Sequence, residues 1–197
     1  MDYTDINIDE IKSKLKECLT EERFLHSLGT MDMAVELAKK FNQNIDKAAI
    51  AGLLHDCAKC YPNEELKALL ESKVQDALEN EFINPKTWHA PVSAYIAKVN
   101  FNITDPEILS SIRWHTLGKI NMSDFEKIIF LADKIERNTR EEKCRQKIIK
   151  TLEKSCSLDK TILKCYKLTI KSLLKRKLPI CKQTIDVYNE LLQNIKN

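Results

Sequence analysis

The dipeptide His55-Asp56 is the feature of the sequence that most strongly indicates chemistry. It interrupts an apolar run between Ala51 and Ala58, and imidazole and carboxylate groups are common metal ligands in proteins. Further ligands are available, because Asp133 stands in a second apolar run and the chain has four histidines. The remaining histidines are His26, His89 and His115. Residues of these types in helical segments predict a metal site.

The predicted ligand set contains two imidazoles and two carboxylates: His26, His55, Asp56 and Asp133. Nitrogen and oxygen ligands without a thiolate favour iron, manganese, cobalt, nickel or zinc over a structural zinc site. Such an ion lowers the pKa of bound water and polarises a phosphoryl oxygen, which predicts a hydrolase. Three roles stay open for His89 and His115: binding a second ion, contacting phosphate, and protonating the leaving group. We favour the phosphate contact over ligation.

Ordinary structural interpretations compete with this one. A single histidine is more often a satisfied interior or surface residue, and Asp133 could simply form an ion pair. Cys57 and Cys60 have the spacing of a redox or zinc pair, but no second pair accompanies them, which favours ordinary thiols. The basic run 175–177 could contact nucleic acid, yet without interleaved aromatic residues it is more typical of a solvated helix end.

Composition predicts an all-α protein. Three glycines and five prolines among 197 residues are few for a turn-rich β fold, and 43% hydrophobic residues suffice for one core over 1–197.

The chain has no run of about 20 apolar residues and no signal peptide at its start, so we expect no membrane span. Seven cysteines without paired spacing favour a reducing, cytoplasmic compartment. Net charge is +3, with the basic excess after residue 133.

Capping residues divide the chain into helices that would position the ligands. Thr20 caps the helix of His26, Asp46 the helix of His55 that ends near Cys60-Tyr61, and His89 just precedes a helix. The predicted ranges are 9–19, a helix from 21, 46–60, 64–72, 91–99, 106–115, 125–136, 158–175 and 182–195. A charged connection containing Arg137, Arg140 and Arg145 joins the last two helices to the rest.

Five motifs in order carry a resemblance to a known family. They are Arg23-Phe24-Leu25-His26, Ala51-Gly52-Leu53-Leu54-His55-Asp56-Cys57-Ala58-Lys59, His89-Ala90-Pro91, Ile112-Arg113-Trp114-His115-Thr116 and Ala132-Asp133-Lys134-Ile135-Glu136. Their order resembles the HD superfamily of metal-dependent phosphohydrolases and, more narrowly, the YqeK family of symmetrical bis(5′-nucleosyl)-tetraphosphatases. The resemblance covers about residues 20–140, a motif core that residues 141–197 would extend.

The resemblance implies an HD-domain helical bundle with additional C-terminal helices. It implies hydrolysis of diadenosine tetraphosphate to two ADP by water activated at the metal, with iron as the usual ion. By position, the ion ligands would be His26, His55, Asp56 and Asp133, and the catalytic residues Asp56, Lys59, His89 and His115. The nucleotide phosphates would be lined by Arg23, Asp56, Lys59, His89, His115, Thr116 and Arg140.

The chain departs from the family pattern after Asp133. Where the family has Pro, Asn or Gly and then Arg, this sequence has Arg137-Asn138-Thr139-Arg140, so the arginine comes one place late or is replaced by Arg137. A less selective HD-type nucleotide phosphohydrolase and a non-catalytic nucleotide- or RNA-binding protein are the alternative functions. We expect neither a membrane nor nucleic acid as partner, and a homodimer is left open.

Overall fold

A computed structural model describes residues 7–75, 77 and 79–196, and the described residues form α-helices and short 3₁₀ turns without any strand. The α-helices are α1 (Ile8–Cys18), α2 (Glu21–Lys40), α3 (Ile45–Leu54), α4 (Asn63–Lys73), α5 (His89–Asn100), α6 (Pro106–Trp114), α7 (Asp124–Ile135), α8 (Glu142–Ser155), α9 (Leu158–Lys175) and α10 (Lys182–Lys196). This confirms the all-α prediction for the described residues.

The helices that carry the motifs pack against one another around one core. Helix α2 lies along α3 and α7, α3 also contacts α6, and α5 packs on α6. Leu53, Leu54, Ile128 and Leu131 are fully buried where α3 and α7 meet this core. Polar side chains on the core-facing sides of these helices therefore lie inside the protein, where each needs a partner.

Side-chain caps fix several helix starts as predicted. Thr20 accepts a hydrogen bond from the backbone of Arg23, and Ser123 forms a reciprocal capping box with Glu126. One predicted cap is wrong, because the start of α3 is capped by Asn44 through its side-chain oxygen and Asp46 lies within the first turn.

Two boundaries near the predicted ligands also differ from the prediction. Helix α3 ends at Leu54, and Asp56 leaves helical geometry (φ −110°, ψ 16°) before a 3₁₀ turn over Cys57–Cys60. Ser93 of α5 holds this turn, since its hydroxyl accepts a hydrogen bond from the Ala58 backbone at 3.1 Å. His89 is the first residue of α5 and does not precede it.

The charged connection predicted after α7 is wrong, because most of it is helix α8. Its sequence is dominated by charged residues, and only Ile148 and Leu152 are buried, so its apolar stripe is narrow. No side chain caps its start at Glu141. Helix α8 packs on α7 and α9, α9 also contacts α7, and α10 packs on α9. That residues 1–197 form a single domain stays a prediction, which limited proteolysis would test.

None of the helices described is both long enough and apolar enough to span a membrane.

Candidate metal centre

Buried polar side chains from five helices meet at the centre of the packed motif helices. They are His26, His55, Asp56, His89, His115 and Asp133. Helix α2 supplies the first from its interior, whereas the others come from the ends of α3, α6 and α7 or from the first residue of α5. The fold thus brings together the four predicted metal ligands and the two histidines whose role the sequence left open.

The first cluster consists of His26, His55, Asp56 and Asp133. His26 Nε2 lies 3.1 Å from His55 Nε2, 3.1 Å from Asp133 Oδ1 and 3.5 Å from Asp56 Oδ2. His55 Nε2 lies 3.3 Å from Asp56 Oδ2 and 3.8 Å from Asp133 Oδ1. Ligands at about 2.1 Å from one ion lie about 3.0 Å apart when adjacent in an octahedron and about 3.4 Å apart in a tetrahedron. The separations among His26, His55 and Asp56 therefore fit a single ion, and Asp133 Oδ1 lies beside both histidine nitrogens.

The outer nitrogens of both histidines fix their tautomers. His55 Nδ1 lies 2.8 Å from the carbonyl oxygen of Gly52, which can only accept, so this nitrogen carries the proton. His26 Nδ1 faces Glu136 Oε1 at 3.1 Å, and a carboxylate likewise accepts. In the neutral rings, the two Nε2 atoms facing each other at 3.1 Å are both lone-pair atoms. A cation bound between the two Nε2 atoms would remove the repulsion between their lone pairs.

The second cluster consists of Asp56, His89 and His115. His89 Nε2 and His115 Nε2 lie 3.2 Å apart, and they are 3.2 Å and 3.4 Å from Asp56 Oδ1. His115 Nδ1 donates to the Ile112 carbonyl at 2.7 Å, so a neutral His115 has no proton on Nε2 to give to a phosphate oxygen. This geometry favours ligation of a second ion over the phosphate contact that we expected from the sequence.

Asp56 belongs to both clusters, with Oδ2 toward the first and Oδ1 toward the second. Its carboxylate is buried, and within the described residues neither oxygen accepts a hydrogen bond, although Lys59 Nζ lies 2.7 Å from Oδ2. Burial alone would raise the pKa of Asp56, but electrostatic interactions with the neighbouring His55 and His89 rings hold it well below the usual value. A buried, ionised carboxylate that has one lysine partner and whose two oxygens face histidine nitrogens is a strong candidate for binding cations.

The histidines have the protonation state that ligation requires. Burial lowers the pKa values of His55, His89 and His115 despite the attraction of Asp56. For His26, burial is outweighed by hydrogen bonds to Asp133 and Glu136, which raise its pKa. Because neutral imidazole is the ligating form, three of the four rings are prepared for an ion at neutral pH.

Comparison with known proteins agrees with these clusters. The HD domain family model matches residues 23–138, a segment that begins just before His26 and ends after Asp133. The chain belongs to the HD domain family.

Relatives extend the likeness beyond the HD domain itself. The chain is 36% identical over 187 residues to a "Bis(5'-nucleosyl)-tetraphosphatase, symmetrical" of Bacillus subtilis, covering 95% of this chain and 98% of the relative. It is 38% identical over 180 residues to a protein of the same name from Halalkalibacterium halodurans, covering 90% and 93%. These matches confirm the family resemblance predicted from the motifs.

A solved structure with the same fold covers nearly the whole chain. It is a crystal structure of a predicted HD superfamily hydrolase involved in NAD metabolism from Clostridium acetobutylicum. The TM-score is 0.89 at 35% identity, with 95% of this chain and 98% of that chain covered. The match therefore extends beyond residues 23–138 into the C-terminal helices.

Basic residues border the first cluster of this HD domain. Arg140 donates to the carboxylate of Asp133, and its Nη2 lies 3.2 Å from His26 Nε2. Lys134 also pairs with Asp133, so the ion pair expected as an ordinary interpretation of Asp133 is present beside the histidines. Arg137 lies away from the site, where it binds Glu36 through two hydrogen bonds of 2.7 Å and 2.8 Å. Of the two arginines considered from the sequence, the structure places Arg140 at the centre.

The other predicted phosphate-binding residues lie at the edges of the HD-domain centre. Lys59 reaches Asp56 from the 3₁₀ turn and keeps 30% of its side chain exposed, while the guanidinium of Arg23 donates to the Lys59 carbonyl. Thr116 directly follows His115 and lines a cavity beside the second cluster. Lys59 and Thr116 are therefore both placed where a polyphosphate bound at the centre could contact them.

Glu136 is a functional candidate that received no role from the sequence. It is fully buried and accepts from His26 Nδ1 and from the backbone of Asn138 at 2.5 Å. Gly29 makes room for this carboxylate, because a Cβ at that position would collide with Oε2. Hydrogen bonds lower the pKa of Glu136 to about 2 against the effect of burial. The spacing of three residues after Asp133 is the signal that could have identified it.

The thiols beside the HD dipeptide behave as the sequence favoured. Burial raises the pKa of Cys57, and it raises that of Cys60 to about 11. Such thiols stay protonated at neutral pH, and a protonated thiol is a poor nucleophile and a poor metal ligand.

Proposed function

We propose that this protein is a metal-dependent hydrolase that cleaves diadenosine tetraphosphate symmetrically into two ADP. The observation that carries the proposal is the double-sided placement of Asp56, whose two oxygens face two sets of histidine nitrogens. This centre lies in a chain that matches symmetrical tetraphosphatases over at least 90% of its length. An ion bound there would lower the pKa of water and polarise a phosphoryl oxygen.

The ligand assignment follows from the geometry of the clusters. We propose that His26, His55, Asp56 and Asp133 hold the first ion and that Asp56, His89 and His115 hold a second. Iron is the expected metal, with manganese, cobalt, nickel and zinc as alternatives, because the donor set consists of imidazole nitrogens and carboxylate oxygens. Metal analysis of protein purified without chelator, followed by removal and titration of each ion, identifies the metal and counts the sites.

The basic residues would hold the substrate phosphates. A tetraphosphate bridge carries several negative charges, and Lys59, Arg23 and Arg140 supply cations at the outer side of the first cluster. His26 Nε2 has one lone pair, so it cannot accept a hydrogen bond from Arg140 and bind an ion at the same time. Arg140 would therefore turn from His26 toward phosphate when the ion is bound.

Product analysis tests the reaction. Metal-reconstituted protein is incubated with diadenosine tetraphosphate in water enriched in oxygen-18, and the nucleotides are separated and weighed by mass spectrometry. Symmetric hydrolysis gives only ADP, and one of the two ADP molecules carries one labelled oxygen on its terminal phosphate. ATP with AMP as products, or no turnover with any of the proposed metals, would contradict the proposal.

Two further assays distinguish the alternative functions. A less selective phosphohydrolase would cleave nucleoside mono- and triphosphates at rates similar to diadenosine tetraphosphate. A non-catalytic nucleotide- or RNA-binding protein would bind without turnover, and its binding would not change in a His55→Ala variant. The cytoplasmic location and the homodimer stay predictions, which cell fractionation and light scattering would test.

A further inference from the structure

Glu81 is a buried residue outside both clusters, in the short segment between α4 and α5. Its carboxylate accepts hydrogen bonds from Nη1 and Nη2 of Arg113 at 2.5 Å and 2.7 Å. Its backbone carbonyl accepts one from the Trp88 indole at 2.9 Å. Arg113 stands two residues before His115, and Trp88 directly precedes His89. Glu81 thus joins the two segments that supply the histidines of the second cluster.

The two histidines need support from outside because both lie at helix ends. His89 is the first residue of α5, and among the described residues no side chain caps this helix start. His115 follows Trp114, the last residue of α6. Helix ends lack part of the intrahelical hydrogen bonding and fray more readily than helix interiors. Tertiary contacts must therefore keep His89 Nε2 and His115 Nε2 at their separation of 3.2 Å.

The ion pair between Glu81 and Arg113 is suited to fixing an orientation. Both side chains are buried, and the planar guanidinium meets the carboxylate through two hydrogen bonds, an arrangement that a point charge does not impose. The same guanidinium lies over the Trp114 ring, 4.2 Å from its centre. A buried ion pair often stabilises a fold no more than apolar residues of similar volume would, so the distinctive contribution of this pair is its fixed geometry.

The Glu81 carbonyl is held in place by the segment that leads into α5. Besides the bond from the Trp88 indole, Thr87 Oγ1 lies 3.3 Å from this carbonyl and 2.8 Å from the carbonyl of Asn84. The Asn84 side chain caps the 3₁₀ turn in which Thr87 lies. The segment is therefore folded back on Glu81, so a movement of Glu81 would be passed to Trp88 and His89.

We propose that Glu81, through Arg113 and Trp88, is a positioning residue for the second ion and sets the separation of the histidine nitrogens that bind it. This inference rests on the proposed ligand role of His89 and His115 and adds the residue that holds them together. The ligands of the first cluster come from α2, the end of α3 and α7, whereas Glu81 and its two partners lie in other segments. Loss of the Glu81 contacts should therefore weaken the second ion and leave the first unchanged.

Two variants distinguish positioning from a contribution to stability. Arg113→Lys keeps the charge but replaces the planar two-bonded contact by a single ammonium group. The double variant Glu81→Met with Arg113→Met removes both charges, so no buried charge is left unpaired and the fold should keep most of its stability. If the pair only stabilised the fold, this double variant would bind the second ion as the wild type does.

A third variant controls for general loss of stability. Lys127→Met breaks a partly buried ion pair with Asp159 at 2.7 Å, which joins α7 to α9. Neither residue lies in the segments that supply His89 and His115, so this variant should be less stable yet bind both ions normally. Thermal melting orders the variants by stability, and circular dichroism checks that each one is folded.

Tryptophan emission reports the second ion, because the two tryptophans of the chain, Trp88 and Trp114, each directly precede one of its histidines. Metal-free protein is titrated with Co²⁺, which quenches nearby indoles, and competition with a chelator measures the affinity of both ions. We expect Arg113→Lys and the double variant to bind the second ion about tenfold more weakly, the size typical of losing a residue that orients a metal ligand. Wild-type affinity for the second ion in either folded variant, or equal weakening of both ions, would overturn the inference.

The same proteins separate this inference from the proposed function. Two bound ions, the second weakened in the variants, in a protein without tetraphosphatase activity would contradict the function and leave the positioning role intact. Symmetric hydrolysis with a second ion that the variants do not weaken would contradict the positioning role and leave the function intact. A wild-type protein that binds only one ion would overturn the inference together with the ligand assignment on which it rests.

Discussion

The two halves of the metal centre share Asp56 but differ in charge. The first cluster adds a second carboxylate, Asp133, and is bordered by Lys134 and Arg140. The second cluster joins two buried histidines to the shared carboxylate alone. The number of ligands therefore predicts two ion sites of unequal affinity, with the tighter one at the first cluster, which offers four ligands against three at the second. The ion at the second cluster would depend more strongly on Asp56 and on the substrate phosphates.

The largest loss of bound metal and of activity should come from removing the charge of Asp56, which both clusters share. Asp56→Asn keeps the shape of the side chain but takes the negative charge from both clusters, so we expect loss of both ions and of at least about 10³-fold in kcat/KM. Metal analysis and product formation measure this. Asp32→Asn is the matched control, because Asp32 is exposed on α2. Retention of either ion at wild-type affinity would show that the halves are not joined through Asp56.

A variant of the second half alone should separate the two clusters. His115→Ala removes one nitrogen ligand of the second cluster, so we expect the metal content to fall from two ions per chain to one and turnover to fall about 10²-fold. Metal analysis and steady-state kinetics on the same preparation check this. Two retained ions with reduced turnover would instead support a phosphate contact for His115.

A substitution at the residue that holds His26 should weaken metal binding at the first cluster only. Glu136→Gln removes the carboxylate that orients His26 and favours its ligating tautomer, so the first ion should bind about 10- to 100-fold more weakly. Metal titration followed by competition with a chelator measures both affinities. Glu36→Gln is the control, since Glu36 pairs with Arg137 at the surface. Equal weakening of both ions would mean that Glu136 acts through the general stability of the fold.

The smallest effect concerns the arginine that competes for His26. Arg140→Ala frees the His26 lone pair, so the first ion should bind a few-fold more tightly while KM for diadenosine tetraphosphate rises about tenfold. Metal titration and kinetics at saturating metal give the two values. A weaker first ion in this variant would show that Arg140 supports the cluster and does not compete with the ion.

Much of the helical framework was predictable because its signals are local. Thr20, Asp105 and Ser123 cap their helices through residues two or three positions away, and those caps agree with the structure. Helix α8 was not predictable in this way, because no side chain caps its start and its apolar stripe is narrow. Its packing on α7 and α9 stabilises the helix instead.

The sequence by itself determined the fold class and the types of ligand, because composition, caps and the presence of His and Asp in apolar runs are properties of short segments. Only the tertiary structure decided which atoms meet. The end of α3 at Leu54 turns Asp56 so that its oxygens face different clusters. The contacts of His26 with Glu136 and Arg140 span more than 100 residues. Local patterns carry no information about such distant pairs, whose positions are set by helix packing.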